Sequence, residues 1–233
     1  KGNNLFNTAG VIFQGKLSLE YFKQELPNYR VFDEKRYFTP GKGPGLFEVK
    51  DKKIALTVCE DIWHTKAIRQ ASRRGADLVL NLNASPFHRN KLQERKELLQ
   101  SHANKFQLPI VYANQVGGQD ELVFDGASMV ICPKSGLKVQ LDSFKVGNKI
   151  AEFSENNEGS LETPVVKFRD RNDLEDVYDA LVLGARDYIK KNGINSNTIF
   201  IDINSSKPFD SMANRSVIPS KEGLKHSLID LYV

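Results

Sequence analysis

Cysteine is scarce, with Cys59 and Cys132 the only two among 233 residues. A single disulfide is then the most the chain could form, too few for a disulfide-stapled secreted scaffold, and the expected location is the reducing cytoplasm. No apolar run reaches the roughly 20 residues that a helix needs to cross a bilayer, and no secretory leader pattern opens the sequence. Charge of one sign is nowhere concentrated. The 33 basic and 29 acidic residues leave a net charge of +4 without a long single-sign block, so neither a nucleic-acid groove nor a membrane-binding face is expected. Internal repeats and low-complexity tracts are also missing. What remains is a globular composition, 40% hydrophobic and 27% charged, long enough to bury one sizeable core and begin a second.

Strand and helix periodicities alternate along the chain. Residues 8–13 and 17–23 read as strands paired around Gln14-Gly15-Lys16. Gly41-Lys42-Gly43-Pro44-Gly45 has the glycines of a phosphate loop but no strand-to-helix context and a central proline, so it reads as a turn-rich connector. Residues 47–49 and 53–58 are the next strands, residues 66–74 a helix closed by Gly75, and residues 78–83 a returning strand. Residues 91–106 carry Leu92, Leu98, Leu99, Ala103 and Phe106 in a charged frame, an amphipathic helix. Residues 109–114 and 122–132 follow as strands, and Cys132, before the turn Pro133-Lys134-Ser135-Gly136, reads as a packed core residue.

The segment Lys53-Ile54-Ala55-Leu56-Thr57-Val58-Cys59-Glu60-Asp61-Ile62-Trp63 runs an apolar strand directly into a thiol followed by two carboxylates. A cysteine there lies beside free backbone N–H groups, which favour its thiolate and can bind an oxyanion. Read alone, Cys59 is either a nucleophile or a packed core thiol. Three further stretches resolve this: residues 23–38 around Leu26-Pro27-Asn28-Tyr29, the strand end Asn83-Ala84-Ser85-Pro86-Phe87-His88, and residues 117–126. With the cysteine motif, in this order, they resemble the nitrilase (carbon–nitrogen hydrolase) superfamily, and within it the glutaminase domain of glutamine-dependent NAD synthetases. The resemblance covers roughly residues 5–150.

The resemblance implies an α/β fold, the four-layer α-β-β-α nitrilase-type sandwich, and a cysteine amidase chemistry. Cys59 is the implied nucleophile. Lys23 is the implied fixed cation, which lowers the thiol pKa and stabilises the oxyanion. Glu34 either orients Lys23 or pairs with its neighbours Lys35 and Arg36. Tyr29, Glu60 and Ser85 fall at positions implied to contact the amino-acid part of glutamine. Read without the family they are a half-buried aromatic, a helix-start charge and an N-cap. Asn90 departs from the pattern, standing where relatives commonly have glycine. Neither a metal nor a cofactor is expected for this part. The resemblance also places a strand, a helix and a proton-shuttling glutamate before the first residue, so the sequence reads as truncated at both ends and little glutaminase turnover is expected from it alone.

Downstream, the expected organisation is a nitrilase-like domain over residues 1–155, a linker over 156–173, the start of a synthetase domain over 174–204 and a divergent tail over 205–233. Residues 174–189 carry apolar positions at helical spacing before Lys190-Lys191-Asn192-Gly193, and resemble the helix that opens an ATP-pyrophosphatase-type domain. A strand at Thr198-Ile199-Phe200-Ile201 follows. Ser206-Lys207-Pro208-Phe209-Asp210-Ser211 then has Lys-Pro where the family's pyrophosphate loop has Gly-Gly, and proline removes a donor. ATP and Mg, with deamido-NAD, are therefore expected only in a complete synthetase, which is expected to be a homo-oligomer. A stand-alone amidase and a non-catalytic remnant are the competing readings.

Overall fold

The computed structural model describes residues 4–157 and 159–193. The strand expected at 198–201, the Lys-Pro loop and the tail lie outside the described residues.

The chain begins with an antiparallel hairpin, β1 (Thr8–Phe13) and β2 (Lys16–Phe22), in register from Thr8 opposite Phe22 to Phe13 opposite Lys16. Gln14 and Gly15 turn it with φ of 48° and 74°, the two left-handed residues that a tight hairpin turn requires. A short helix, α1 (Glu34–Tyr37), and the glycine-rich connector lead into β3 (Gly45–Val49). The connector is built for close approach. A Cβ on Gly41 would sit 2.0 Å from the Phe22 carbonyl oxygen.

The body is one six-stranded sheet. Its other strands are β4 (Lys52–Val58), β5 (Leu78–Asn83), β6 (Ile110–Asn114), and two strands whose place in the chain follows from a break described below, β9 (Met129–Cys132) and β10 (Gly136–Gln140). The spatial order is β10-β9-β6-β5-β4-β3. The central strands β4, β5 and β6 run parallel, as their crossover helices α2 (Thr65–Arg73) and α3 (Lys91–Phe106) demand. Strand alternation sorts the side chains. Ala55, Val79, Ile110 and Ile131 lie in register and face Ile68, Ala71, Leu99 and Ala103 of the two helices. On the opposite face Leu56 and Leu80 pack under the hairpin through Ala9, Leu19 and Tyr21. Helices, sheet and hairpin thus stack in α-β-β order. Cys132 is fully buried with Val130 and Val139, as expected of a packing residue.

One expectation is corrected. Residues 122–132 are two strands, not one: β8 (Leu122–Asp125) pairs with an unforeseen β7 (Val116–Gln119), and β9 begins after a break. The break is backbone-driven, since Gly126 and Ala127 take φ of 67° and 49°, incompatible with a continuing strand. The segment expected as a linker makes backbone contacts with the domain body. It contributes to a small pair, β11 (Ser154–Glu155) with β12 (Leu161–Glu162), and the Val166 N–H donates to the Lys138 carbonyl. The last helix, α4 (Asp173–Lys191), covers the expected helical residues and starts on a capping box in which Asn172 accepts from the Glu175 N–H. It lies on the β7–β8 hairpin, where a Cβ on Gly118 would stand 3.1 Å from the Gly184 Cα. Asp187 accepts the Gly118 N–H at 2.8 Å, and Lys191 donates to the Gly118 carbonyl at 2.6 Å.

Candidate active site

β4 ends at Val58 in extended conformation, and the chain then turns sharply, because Cys59 has φ of 44° before a 3-10 turn over Cys59–Trp63. A non-glycine residue held left-handed costs of order 1–3 kcal/mol and persists only where its surroundings over-determine it. The strain projects the sulfur at the carboxyl end of the parallel strands, a strand-to-helix elbow of the kind that presents nucleophiles in hydrolases.

The surroundings are Asp61, fully buried, with both carboxylate oxygens saturated. Oδ1 accepts the N–H groups of Gln24 (2.9 Å) and Glu25 (2.8 Å). Oδ2 accepts the Val58 N–H (3.0 Å) and the Tyr21 hydroxyl (2.8 Å). The first pair fixes the segment that immediately follows Lys23, and the Val58 bond fixes the residue before Cys59. Tyr21, buried and facing this carboxylate, has its hydroxyl pKa raised far above the phenolic value, mainly by burial.

Lys23 is 1% exposed, and its ammonium donates to both oxygens of Glu34, at 2.7 and 2.8 Å. The two readings of Glu34 are thereby separated: Glu34 holds Lys23, while Asp33 pairs with Arg36 at 3.5 Å. Around the thiol, burial pushes the pKa of Cys59 up; the Lys23 charge and a hydrogen bond from the Ala84 backbone N–H pull it down without overcoming burial. Lys23 thus acts on the thiol in the expected direction, and burial sets the net shift. Lost hydration outweighs the cation.

Tyr29 and Glu60 are together at the mouth. The Tyr29 hydroxyl donates to Glu60 Oε2 at 2.9 Å, and burial together with this bond pushes its pKa up to about 12. His64 stands 3.5 Å from the other Glu60 oxygen. Tyr29 is half exposed, so this corner is open to a ligand. Lys91 lies with its ammonium 3.7 Å from the Trp63 ring centroid and its pKa lowered, chiefly by burial.

Ser85 is buried and sits in a different network. Its N–H donates to Asn114 Oδ1 at 2.9 Å, and Arg95 donates to its carbonyl (2.9 Å) and hydroxyl (3.2 Å). Arg95 is itself wholly buried, paired with both oxygens of Asp125 at 2.9 and 2.7 Å. Burial is the largest single influence and opposes its charge, yet Asp125, joined by Tyr112 and Cys59, raises the guanidinium pKa overall. This pair holds Ser85 and Pro86, directly after the Ala84 N–H that meets the thiol. Asn90 takes φ of 64°, the left-handed conformation that glycine adopts most readily.

Sequence reading missed Asp61, Arg95 and Asp125. Arg95 carried a signal, since it occupies the same helical stripe as Leu92, Leu99 and Ala103 and must therefore point inward. Among the described residues, no group of three or more His, Cys, Asp or Glu is placed to hold a metal ion, and no helix is long and apolar enough to cross a membrane.

The carbon–nitrogen hydrolase family model matches residues 1–160. The glutamine-dependent NAD(+) synthetase of Acinetobacter baylyi is 37% identical over 188 residues, covering 81% of this chain and 34% of the relative. That of Aquifex aeolicus is 38% identical over 220 residues, with coverage of 82% and 39%. The chain spans little more than a third of the length of these relatives. Among solved structures, glutamine-dependent NAD+ synthetase from Acinetobacter baumannii, in complex with ADP, superimposes with a TM-score of 0.78 at 38% identity, over 84% of this chain and 37% of that one. A carbon–nitrogen hydrolase from Helicobacter pylori does so with a TM-score of 0.53 at 27% identity, over 59% and 53% of the two chains. A nitrilase-type α/β fold, a cysteine at a strained elbow with a buried lysine in electrostatic reach, and the match over residues 1–160 lead to one conclusion: the chain belongs to the carbon–nitrogen hydrolase family.

Proposed function

We propose that this chain is the ammonia-supplying part of a glutamine-dependent NAD synthetase and that Cys59 hydrolyses the glutamine side-chain amide. The observation that carries this reading is the convergence of Cys59, held at φ of 44°, with the Lys23–Glu34 pair and the Ala84 N–H on its sulfur. A carboxamide is a poor electrophile, so the site must supply a thiolate, a positive environment for the oxyanion and a path for the proton.

In the acylation step the sulfur bonds to the amide carbon and the carbonyl electron pair moves to oxygen, beside the Lys23 charge. Collapse breaks the C–N bond. The proton given up by the thiol is the one the departing nitrogen takes, so neutral ammonia leaves and a glutamyl thioester remains. Water then cleaves the thioester, releasing glutamate and restoring the thiol. Glu34, bonded twice to the Lys23 ammonium, holds that cation in place. Loss of one oxyanion donor in such sites costs about 3 kcal/mol.

The glutamine specificity rests on the mouth. Glu60 offers a carboxylate for the substrate ammonium, with Tyr29 bonded to it, and Ser85 lies at the neighbouring strand end. In the complete synthetase the ammonia would be consumed by deamido-NAD activated with ATP and Mg, in the cytoplasm, by an oligomeric enzyme. The test is ligand protection of Cys59 against iodoacetamide. Glutamine should slow alkylation at concentrations where asparagine, glutamate and propionamide do not. Equal protection by propionamide would overturn glutamine in favour of a general aliphatic amidase.

A further inference from the structure

Lys23 and Cys59 come from segments 36 residues apart, and neither side chain fixes the other. Lys23 sits after β2, where its own N–H donates to the Asn7 carbonyl and its carbonyl accepts from Gly41, both within the hairpin region. Cys59 sits on the central sheet. The side chain that bonds to both segments is Asp61, and it divides its two oxygens between them: Oδ1 takes Gln24 and Glu25, Oδ2 takes Val58 and the Tyr21 hydroxyl.

We propose that Asp61 is a positioning residue which sets the separation of the Lys23 ammonium from the Cys59 sulfur by clamping both backbones with one carboxylate. The proposal rests on Cys59 and Lys23 acting as assigned above. Only a carboxylate can fill the place. All four partners are donors, and both oxygens must accept. In Asp61→Asn the isosteric amide has one accepting oxygen, so its NH2 meets either the Val58 N–H or the paired Gln24 and Glu25 N–H groups, donor against donor. Whichever way the amide turns, one segment is released. Near the elbow, release also removes the bond from Asp61 to Val58 that spans Cys59, and with it part of the constraint on its positive φ.

The experiment compares folded wild type, Asp61→Asn and Tyr21→Phe in iodoacetamide alkylation of Cys59 across pH, with Tm measured on each. The groups that act on the thiol include Lys23, Glu34, Glu60, Tyr29, Arg95, Tyr112 and the Ala84 N–H, and all three proteins retain them. Asp61→Asn should shift the alkylation midpoint upward and slow alkylation at pH 8 by tenfold or more, because the cation no longer sits at its set distance. Tyr21→Phe removes the side-chain bond but leaves the three backbone bonds, so it should lower Tm and leave alkylation within twofold. A merely structural Asp61 would lower Tm in both variants with wild-type alkylation, and that result overturns the proposal. Wild-type inertness would instead count against the catalytic assignment itself. Should Asp61→Asn not fold, amide exchange in the wild type decides. The Gln24, Glu25 and Val58 N–H groups must open with one shared protection if one carboxylate holds them, and independent opening of Val58 contradicts the clamp.

Discussion

Replacing Asp125 by alanine would leave the Arg95 guanidinium with no counter-charge at a site where it is wholly buried. Two hydrogen bonds disappear, and those to Ser85 and Pro86 stay but are made by an uncompensated cation. Breaking one side of a buried pair costs about 3–5 kcal/mol, a large part of the 5–15 kcal/mol that holds a typical domain together. For a domain of this size about 1 kcal/mol moves Tm by 2–4 °C, so the expected fall is about 6–20 °C. The assay is urea denaturation followed by the fluorescence of Trp63, the sole tryptophan, which packs against the main core. Lys145→Ala is the control; its pair with Asp142 is largely exposed on both sides and should contribute about 0–1 kcal/mol. A loss below 1 kcal/mol in Asp125→Ala would refute the reasoning. It would show that the guanidinium reaches water or a second acceptor.

Two further outcomes follow. Burial holds the Cys59 thiol above its ordinary range, so ligand-free alkylation should rise through a midpoint above that range, and Lys23→Met should push it higher still, because the opposing cation is gone. A lower midpoint in Lys23→Met would place the lysine outside the electrostatic reach of the sulfur. In the β7–β8 hairpin, Gly118→Val forces side-chain atoms into the Gly184 backbone and should cost about 1–3 kcal/mol by overpacking. Faster amide exchange confined to α4 and the β7–β8 hairpin checks it, and unchanged protection there contradicts the contact.

The parts of the fold that were legible in sequence are those set by periodicity and local turn chemistry. Residues 91–106 are a helix because their apolar stripe recurs at helical spacing, and Gln14-Gly15 turns the first hairpin because it supplies two left-handed residues. The break at Gly126-Ala127 was not legible. A lone glycine inside an apolar run does not announce which backbone it takes, and the alanine beside it gives no warning of φ at 49°. Motifs name candidate residues such as Cys59 and Lys23, and the structure brings these two within electrostatic reach of each other. The site was unreadable where function depends on what a side chain meets across the fold. Asp61 was visible only as the second of two acids, although its neighbour Glu60 faces the pocket and it faces the protein. The net thiol pKa was unreadable for the same reason: the lowering by Lys23 follows from the motif, but the larger effect of desolvation is a property of the folded surroundings.

The most direct test of the account is intact-mass and peptide mapping of the folded chain after exposure to a glutamine-like diazo-ketone, with Cys59→Ala alongside. The account predicts a single adduct on Cys59, formed faster than on buried Cys132, suppressed by glutamine and absent from the variant. A folded chain that stays unlabelled, or one labelled at Cys59 without protection by glutamine, would contradict it.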